Sequence, residues 1–138
     1  MMRLEYDKAA AVAWWNARMD QVALEKTQSA ICVVDPNTNQ IIAVALFHNF
    51  KGHDIEIGFA ADDPRWAERG VIRAIFHYVF EQLGCSRLTT ITAKNNKRAR
   101  KLDEGLGFKL EGVHENGMAP GVTAISYGMT KENCKWLG

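Results

Sequence analysis

The chain has few of the features that hold a protein together without a core. Its three cysteines, Cys32, Cys85 and Cys134, are scattered through 138 residues with no CxxC pair. An odd, scattered set suits neither a disulfide framework nor a zinc knuckle, and a reducing cytoplasm is the expected setting. No apolar run is long enough to span a bilayer. The opening residues Met1-Met2-Arg3-Leu4-Glu5 carry no apolar signal core. Internal repeats and low-complexity linkers are missing as well. Neither sign of charge dominates: 17 Lys and Arg against 16 Asp and Glu leave +1. With no overall field to attract polyanions, neither nucleic acid nor a membrane is an expected partner.

What is present is ordinary globular material, 47% hydrophobic and 24% charged, of a length that suits one domain with a core of its own. Residues 2–6 read as a short strand. Residues 7–26 read as helix, as one piece or two, with Asp7 as cap and an alanine-rich body carrying Trp14, Trp15 and Met19. Residues 30–34 and 41–47 are apolar strands around the turn-forming stretch Asp35-Pro36-Asn37-Thr38-Asn39-Gln40, which makes a hairpin. Residues 53–61 alternate, with Ile55, Ile57 and Phe59 on one face and Asp54, Glu56 and Gly58 on the other. Asp62-Asp63-Pro64 breaks that strand.

Residues 71–84 carry a wide apolar helical face and a polar stripe of Arg73, His77 and Glu81, with Gly84 as the stop. Residues 87–93 form a threonine-rich strand. Asn95 or Asn96 caps a helix that ends at Gly105-Leu106-Gly107. Residues 108–113 and 122–129 are the last strands, joined by a loop holding Gly117, Pro120 and Gly121. The order β-α-β-β-β-α-β-α-β-β predicts helices packed on a mixed sheet.

Two segments carry a family resemblance. The first is Ile55-Glu56-Ile57-Gly58 followed by Pro64-Arg65-Trp66-Ala67-Glu68-Arg69-Gly70. The second runs from Asn96 without gaps to Gly107-Phe108, followed by Glu111-Gly112. Together they resemble the GNAT N-acetyltransferases, closest in flavour to the ribosomal-protein acetyltransferase branch, over about residues 41–129.

The resemblance implies a mostly antiparallel mixed α/β sheet of six to seven strands, splayed at the middle, with helices on both faces. It implies acetyl-CoA as co-substrate and a primary amine as acceptor, on a small molecule or a protein. A helix start exposes unpaired N–H groups at a positive dipole end, which suits a pyrophosphate. Glu68, Arg69, Gly70, Val71, Ile72 and Arg73 are therefore the expected phosphate site, with Arg65 adding charge. The loop departs from the family's Gln/Arg-x-x-Gly-x-Gly/Ala pattern, because Ala67 and Ile72 stand at its ends and only Gly70 is kept.

Acetyl transfer needs a base for the amine and a donor for the thioester oxygen. Glu56 is the first choice as base and Asp54 the second; the alternative for both is a solvated strand face. Phe59 supplies the cleft-facing N–H, and Ala61 lies with it on the cofactor path. The resemblance implies Asn96 as a pantetheine partner; the alternative is a helix cap, and the two roles can coexist. Arg100 belongs to the basic run Lys94, Lys97, Arg98, Arg100 and Lys101 near the CoA 3′-phosphate. Asp103 stands where the family places an acid tyrosine, and either it is held protonated or another group serves. Trp14 and Trp15 line the acceptor site or the core; His114 contacts the amine or caps a solvated turn.

His48 and His53 lack carboxylates at ligand spacing, so no metal is expected. Cys85 lacks a partner histidine and reads as an inert thiol. An edge strand near the C-terminus offers a surface for a homodimer. The non-enzymatic alternative is a GNAT-fold module that binds CoA or a protein without turnover.

Overall fold

The computed structural model describes residues 1–19 and 26–138. The second part of the expected first helical segment, residues 20–25, lies outside the described residues. Seven strands form one sheet in the order β1-β2-β3-β4-β5-β7-β6. They are β1 (Arg3–Glu5), β2 (Thr27–Asp35), β3 (Gln40–His48), β4 (Asp54–Ala61), β5 (Arg87–Ala93), β6 (Lys109–Ala119) and β7 (Val122–Thr130). Among the described residues three α-helices interrupt them: α1 (Lys8–Asn16), α2 (Arg69–His77) and α3 (Lys97–Leu106). All described strand pairs are antiparallel except β4 with β5. This is the expected mixed, mostly antiparallel sheet.

Strand alternation sorts the core into two layers. Ile31, Val33, Phe47, Ile55, Leu88, Ile125 and Tyr127 pack against α2 and α3 on one face. Ala30, Cys32, Val44 and Leu46 pack against Ala11 and Trp14 of α1 on the other. Helices therefore cover both faces, and α1 lies mainly over β2 and β3.

Two boundaries differ from the sequence reading. The helix expected over residues 71–84 begins at Arg69, and after His77 it widens into a π turn over Tyr78–Gln82. Leu83 N–H accordingly donates to the Tyr78 carbonyl five residues back, at 2.8 Å. Gly84 ends it with φ 73°, a left-handed conformation that glycine adopts without strain. The strand expected over residues 108–113 continues to Ala119, so Gly117 lies within β6 and not in a loop. Pro120 and Gly121 alone separate β6 from β7.

Candidate active site

The site begins where the sheet opens. β4 and β5 pair in parallel for three residues, Asp54–Arg87, Ile55–Leu88 and Glu56–Thr89, and the ladder then stops. Beyond it Thr90 Oγ1 donates to the Ile57 carbonyl at 3.1 Å. That bond fixes the polarity of β4. The carbonyl of Ile57 faces β5, so the N–H and C=O of Phe59 and Ala61, two and four residues on, face the same way. They point into the gap, with no strand partner on that side among the described residues. Asp62 N–H, one residue out of phase, donates to Ile42 on the opposite side at 2.8 Å, as this alternation requires.

The gap has two lobes. The outer lobe, about 320 Å³, is lined by Trp15, Met19, Gly58, β5, Asn96, Ala99 and Met118. The inner lobe, about 40 Å³, is walled by Ile57, Trp66, Ile75, Phe76, Leu106 and Phe108 among others. Phe59, Thr90, Leu102 and Asp103 line both.

Asp103 is the most perturbed carboxyl in this gap. Burial among apolar neighbours raises its pKa to about 7, and the adjacent Glu104 charge adds to the rise. Leu102 and Leu106 share its turn of α3, so the amphipathic face that docks the helix also desolvates the acid. The neighbouring turn is tied down differently. Buried Tyr127 donates to Glu104 Oε2 at 2.7 Å and accepts from Arg100 Nε at 3.1 Å. Arg100 Nη1 also donates to the Lys94 carbonyl at 3.1 Å. Arg100 is thus engaged with β7 and the end of β5, a structural role the sequence reading did not include. Tyr127 is committed to this network, and Tyr78 donates to Ser29 Oγ at 2.7 Å. Neither tyrosine lines the gap.

Glu56 sits on the last rung of the ladder, on the α1 face. Its carboxylate lies 3.0 Å from His48 Nε2 and accepts from Asn49 Nδ2 at 3.0 Å. Gly58, the next residue on that face and about 7 Å along the strand, lines the outer lobe. Asp54 is farther from the gap and buried; it accepts from Thr89 Oγ1 at 2.9 Å, with Arg87 at 4.0 Å. Arg87 in turn bonds Glu111. Asp54 is therefore part of a strand-bottom network, and the solvated-face alternative fails for it.

At the start of α2 three amides have no backbone partner among the described residues: Arg69, Gly70 and Val71. Glu68 N–H is taken by the Trp66 carbonyl at 2.8 Å, and Ile72 N–H by the Glu68 carbonyl at 3.1 Å. The expected phosphate cradle is thus narrower than residues 68–73. The Glu68 side chain does not cap the helix, and accepts instead from Met2 N–H at 2.8 Å, which turns its charge toward β1. A Cβ on Gly70 would meet nothing within 4 Å, so its surroundings are open to an approaching ligand. Arg69 and Arg73 are exposed nearby. Arg65 is not available: it pairs with Asp63 at 2.7 Å and with buried Asp35 at 3.1 Å.

The remaining candidates separate cleanly. Trp15 covers Gly58, with its ring edge 3.3 Å from where a Cβ would lie, and it lines the outer lobe. Trp14 is core; its Nε1 donates to the Ile41 carbonyl at 3.1 Å. His114 lies on β6, its Nε2 3.0 Å from Ser126 Oγ, outside both lobes. Met118, farther along β6, reaches the gap instead; sequence reading missed it because the strand was ended at Val113. Asn96 caps α3 through Ala99 N–H at 3.1 Å and also borders the outer lobe. The thiols are buried, and burial pushes Cys32 up to about 11 and raises Cys85 and Cys134. No metal-competent group of three or more His, Cys, Asp or Glu occurs among the described residues.

Comparison with known proteins agrees with this geometry. No curated protein matches. Among solved structures, a GNAT-family acetyltransferase from Bacillus anthracis is 21% identical, with a TM-score of 0.62 over 75% of this chain and 66% of its own. A ribosomal-protein-S5-alanine acetyltransferase from Vibrio fischeri is 20% identical, with a TM-score of 0.65 over 80% and 64%. A mutant spermidine/spermine N-acetyltransferase from Vibrio cholerae is 12% identical but gives a TM-score of 0.78 over 96% of both chains. At these identities the likeness shows the fold. The model of the acetyltransferase (GNAT) domain matches residues 1–109. That is most of the sequence, and with the opened β4–β5 ladder it establishes that the chain belongs to the GNAT acetyltransferase family.

Proposed function

We propose that the chain transfers an acetyl group from acetyl-CoA directly to a primary amine. The observation that carries this reading is the opening of the sheet after Glu56 and Thr89, which leaves the Phe59 and Ala61 amides facing a gap walled by Asp103. The pyrophosphate would rest on the amides of Arg69, Gly70 and Val71. Arg69 and Arg73 add screened positive charge, and Asn96 borders the path of the pantetheine arm.

The amine nitrogen attacks the thioester carbon, and the Phe59 N–H stabilises the oxygen as it turns negative. The ammonium proton leaves through water to Glu56, held by Asn49 and His48. As the C–S bond breaks, protonated Asp103 gives its proton to the CoA thiolate. With a pKa of about 7, roughly half of Asp103 carries that proton at neutral pH. The missing tyrosine is thus replaced by a carboxyl whose burial gives it the same task.

The structural neighbours named for spermidine or spermine and for a ribosomal-protein alanine suggest a small polyamine or a protein N-terminus as acceptors to try first. Calorimetry with acetyl-CoA, followed by CoA release against an amine panel, tests the reading. No binding at high micromolar acetyl-CoA removes it. The degenerate loop, with Ala67 and Ile72 at the pattern's ends, favours one second reading: a module that holds CoA and does not turn over. Bound CoA with no acetylation of any amine supports that reading.

A further inference from the structure

The α1 side of the outer lobe has a wall to which the chemistry assigns no task. Strand alternation gives its members. Leu88, Thr90 and Thr92 share one phase of β5, and Leu88 packs in the α2 and α3 layer, so Ile91 and Ala93 point the other way. Gly58 lies on that same side of β4, between Ile57 and Phe59, which pack against the α2 and α3 layer. Trp15 closes over Gly58, Met19 N–H donates to the Trp15 carbonyl at 2.9 Å, and Met118 comes in from β6. None of these side chains is ionisable.

Two of them remain uncovered in the folded chain. Met19 is 38% exposed, and Ile91, on a strand with neighbours on both sides, is 43% exposed. A contiguous apolar patch beside a reactive centre is the usual lining of a small-ligand site. Charge enters the lobe elsewhere. Asp103, the one ionisable group among the described lining residues, is on α3. On β4, Glu56 is held by His48 and Asn49. Asp62, just past the strand, pairs with Arg18 at 2.8 Å.

The attacking amine comes to rest near Glu56 and the Phe59 N–H, so the group that carries it lies along this wall. We propose that the acceptor is a primary amine with a single charge and an apolar body, alkyl or aryl, and that the wall of Trp15, Ile91 and Met118 rejects polyamines. The inference rests on the transferase reading and names its acceptor class. A polyamine would lay a second ammonium against apolar side chains, with no free carboxylate on this wall among the described residues. The transfer balances for any such amine. The N–C bond forms and the C–S bond breaks; the amine proton leaves through water to Glu56, and CoA leaves as the thiol.

The test compares hexylamine with 1,6-diaminohexane, which differ only at the far end. It reads kcat/KM for each amine with acetyl-CoA in the wild type, Ile91→Glu and Ile91→Gln. Ratios between amines do not depend on how much of a variant is folded. The wild type is expected to favour hexylamine about 30-fold, the low end for leaving a charge unpaired, because the lobe is open to water. Hexylamine is also expected to exceed propylamine about tenfold, through methylenes laid on the wall. Ile91→Glu supplies the missing carboxylate and should raise the diamine-to-monoamine ratio at least tenfold. Ile91→Gln, of the same shape without charge, should move it less than threefold. A wild type that uses 1,6-diaminohexane as well as hexylamine, or a ratio unmoved in Ile91→Glu, overturns the assignment. A peptide with leucine at its free N-terminus identifies the source. Turnover faster than hexylamine upholds the class as a protein N-terminus, and slower turnover upholds it as a free amine. If acetyl-CoA binds and no amine is acetylated, the transferase reading fails, and calorimetry on the CoA-loaded protein decides the wall separately. Hexylamine binding tighter than 1,6-diaminohexane upholds it; equal, weaker or undetectable binding overturns it.

Discussion

Asp103→Asn should make the protein slower and more stable at once. Asparagine keeps the shape of the side chain and cannot ionise or give up a proton. The buried carboxyl has a folded pKa of about 7 against an ordinary value of 3.8. A raised carboxyl binds its proton more tightly in the folded state, so its contribution to stability falls as pH rises from about 4 to about 7. For a fully enclosed carboxyl such a rise costs about 4 kcal/mol above pH 7. Water entering the gap would reduce that to about 2 kcal/mol. Between pH 5 and pH 8 the wild type should lose about 1–3 kcal/mol that the variant keeps.

Urea unfolding at the two pH values measures this directly. On the proposed mechanism the same substitution removes the acid for the thiolate. Steady-state CoA release should fall about 100-fold at pH 7, the low end for general acid catalysis because a thiolate leaves readily. The decline in kcat above pH 7 should vanish. Equal pH dependence of stability in both proteins would refute the burial argument. A rate within twofold of wild type, with its alkaline limb intact, would remove Asp103 from the chemistry.

Glu56→Gln should lower kcat at least tenfold below pH 8 and lose less as rising pH deprotonates the amine itself, which a pH–rate profile reads. Gly70→Glu places a carboxylate beside the three unpaired amides of α2, and calorimetry should show acetyl-CoA binding at least tenfold weaker with unchanged melting. Tyr127→Phe removes the hydroxyl between Arg100 and Glu104. It should cost about 1–3 kcal/mol in urea unfolding, because the buried network loses its central partner.

The element order was legible because the periods were clear. Residues 54–59 alternate strictly, and residues 71–84 keep an apolar helical face, so strand and helix separate on sequence alone. β6 was cut short for a physical reason. It is an edge strand whose far half, His114-Glu115-Asn116-Gly117, is exposed, so no apolar alternation marks it. The π turn after His77 preserves helical side-chain spacing closely enough to leave no sign in the sequence.

At the site, Asn96, Gly70 and Asp103 were singled out by the family resemblance, from where they fall on its motifs. The state of Asp103 was not legible, because it depends on how Leu102, Leu106 and β5 close around it. Nor could spacing show that Arg65 and Arg100 were already spent on Asp35 and Tyr127. Long cations near a predicted phosphate site look alike until their acidic partners are brought close by the fold.

The opened ladder has a consequence for how the molecule holds together. Strands β1 to β4 and strands β5 to β7 are two half-sheets, stitched between β4 and β5 by three rungs and by the hydroxyls of Thr89, to Asp54, and Thr90, to Ile57. The sheet is therefore weakest along the line where the thioester would lie. A donor that hydrogen-bonds the Phe59 and Ala61 edge replaces the missing rungs and ties the halves to each other. Amides at residues 57–61 and 90–93 should then exchange slowly with the donor bound and quickly without it. The melting temperature should climb with donor concentration in step with occupancy. On the proposed reading, the cosubstrate of this chain doubles as a seam.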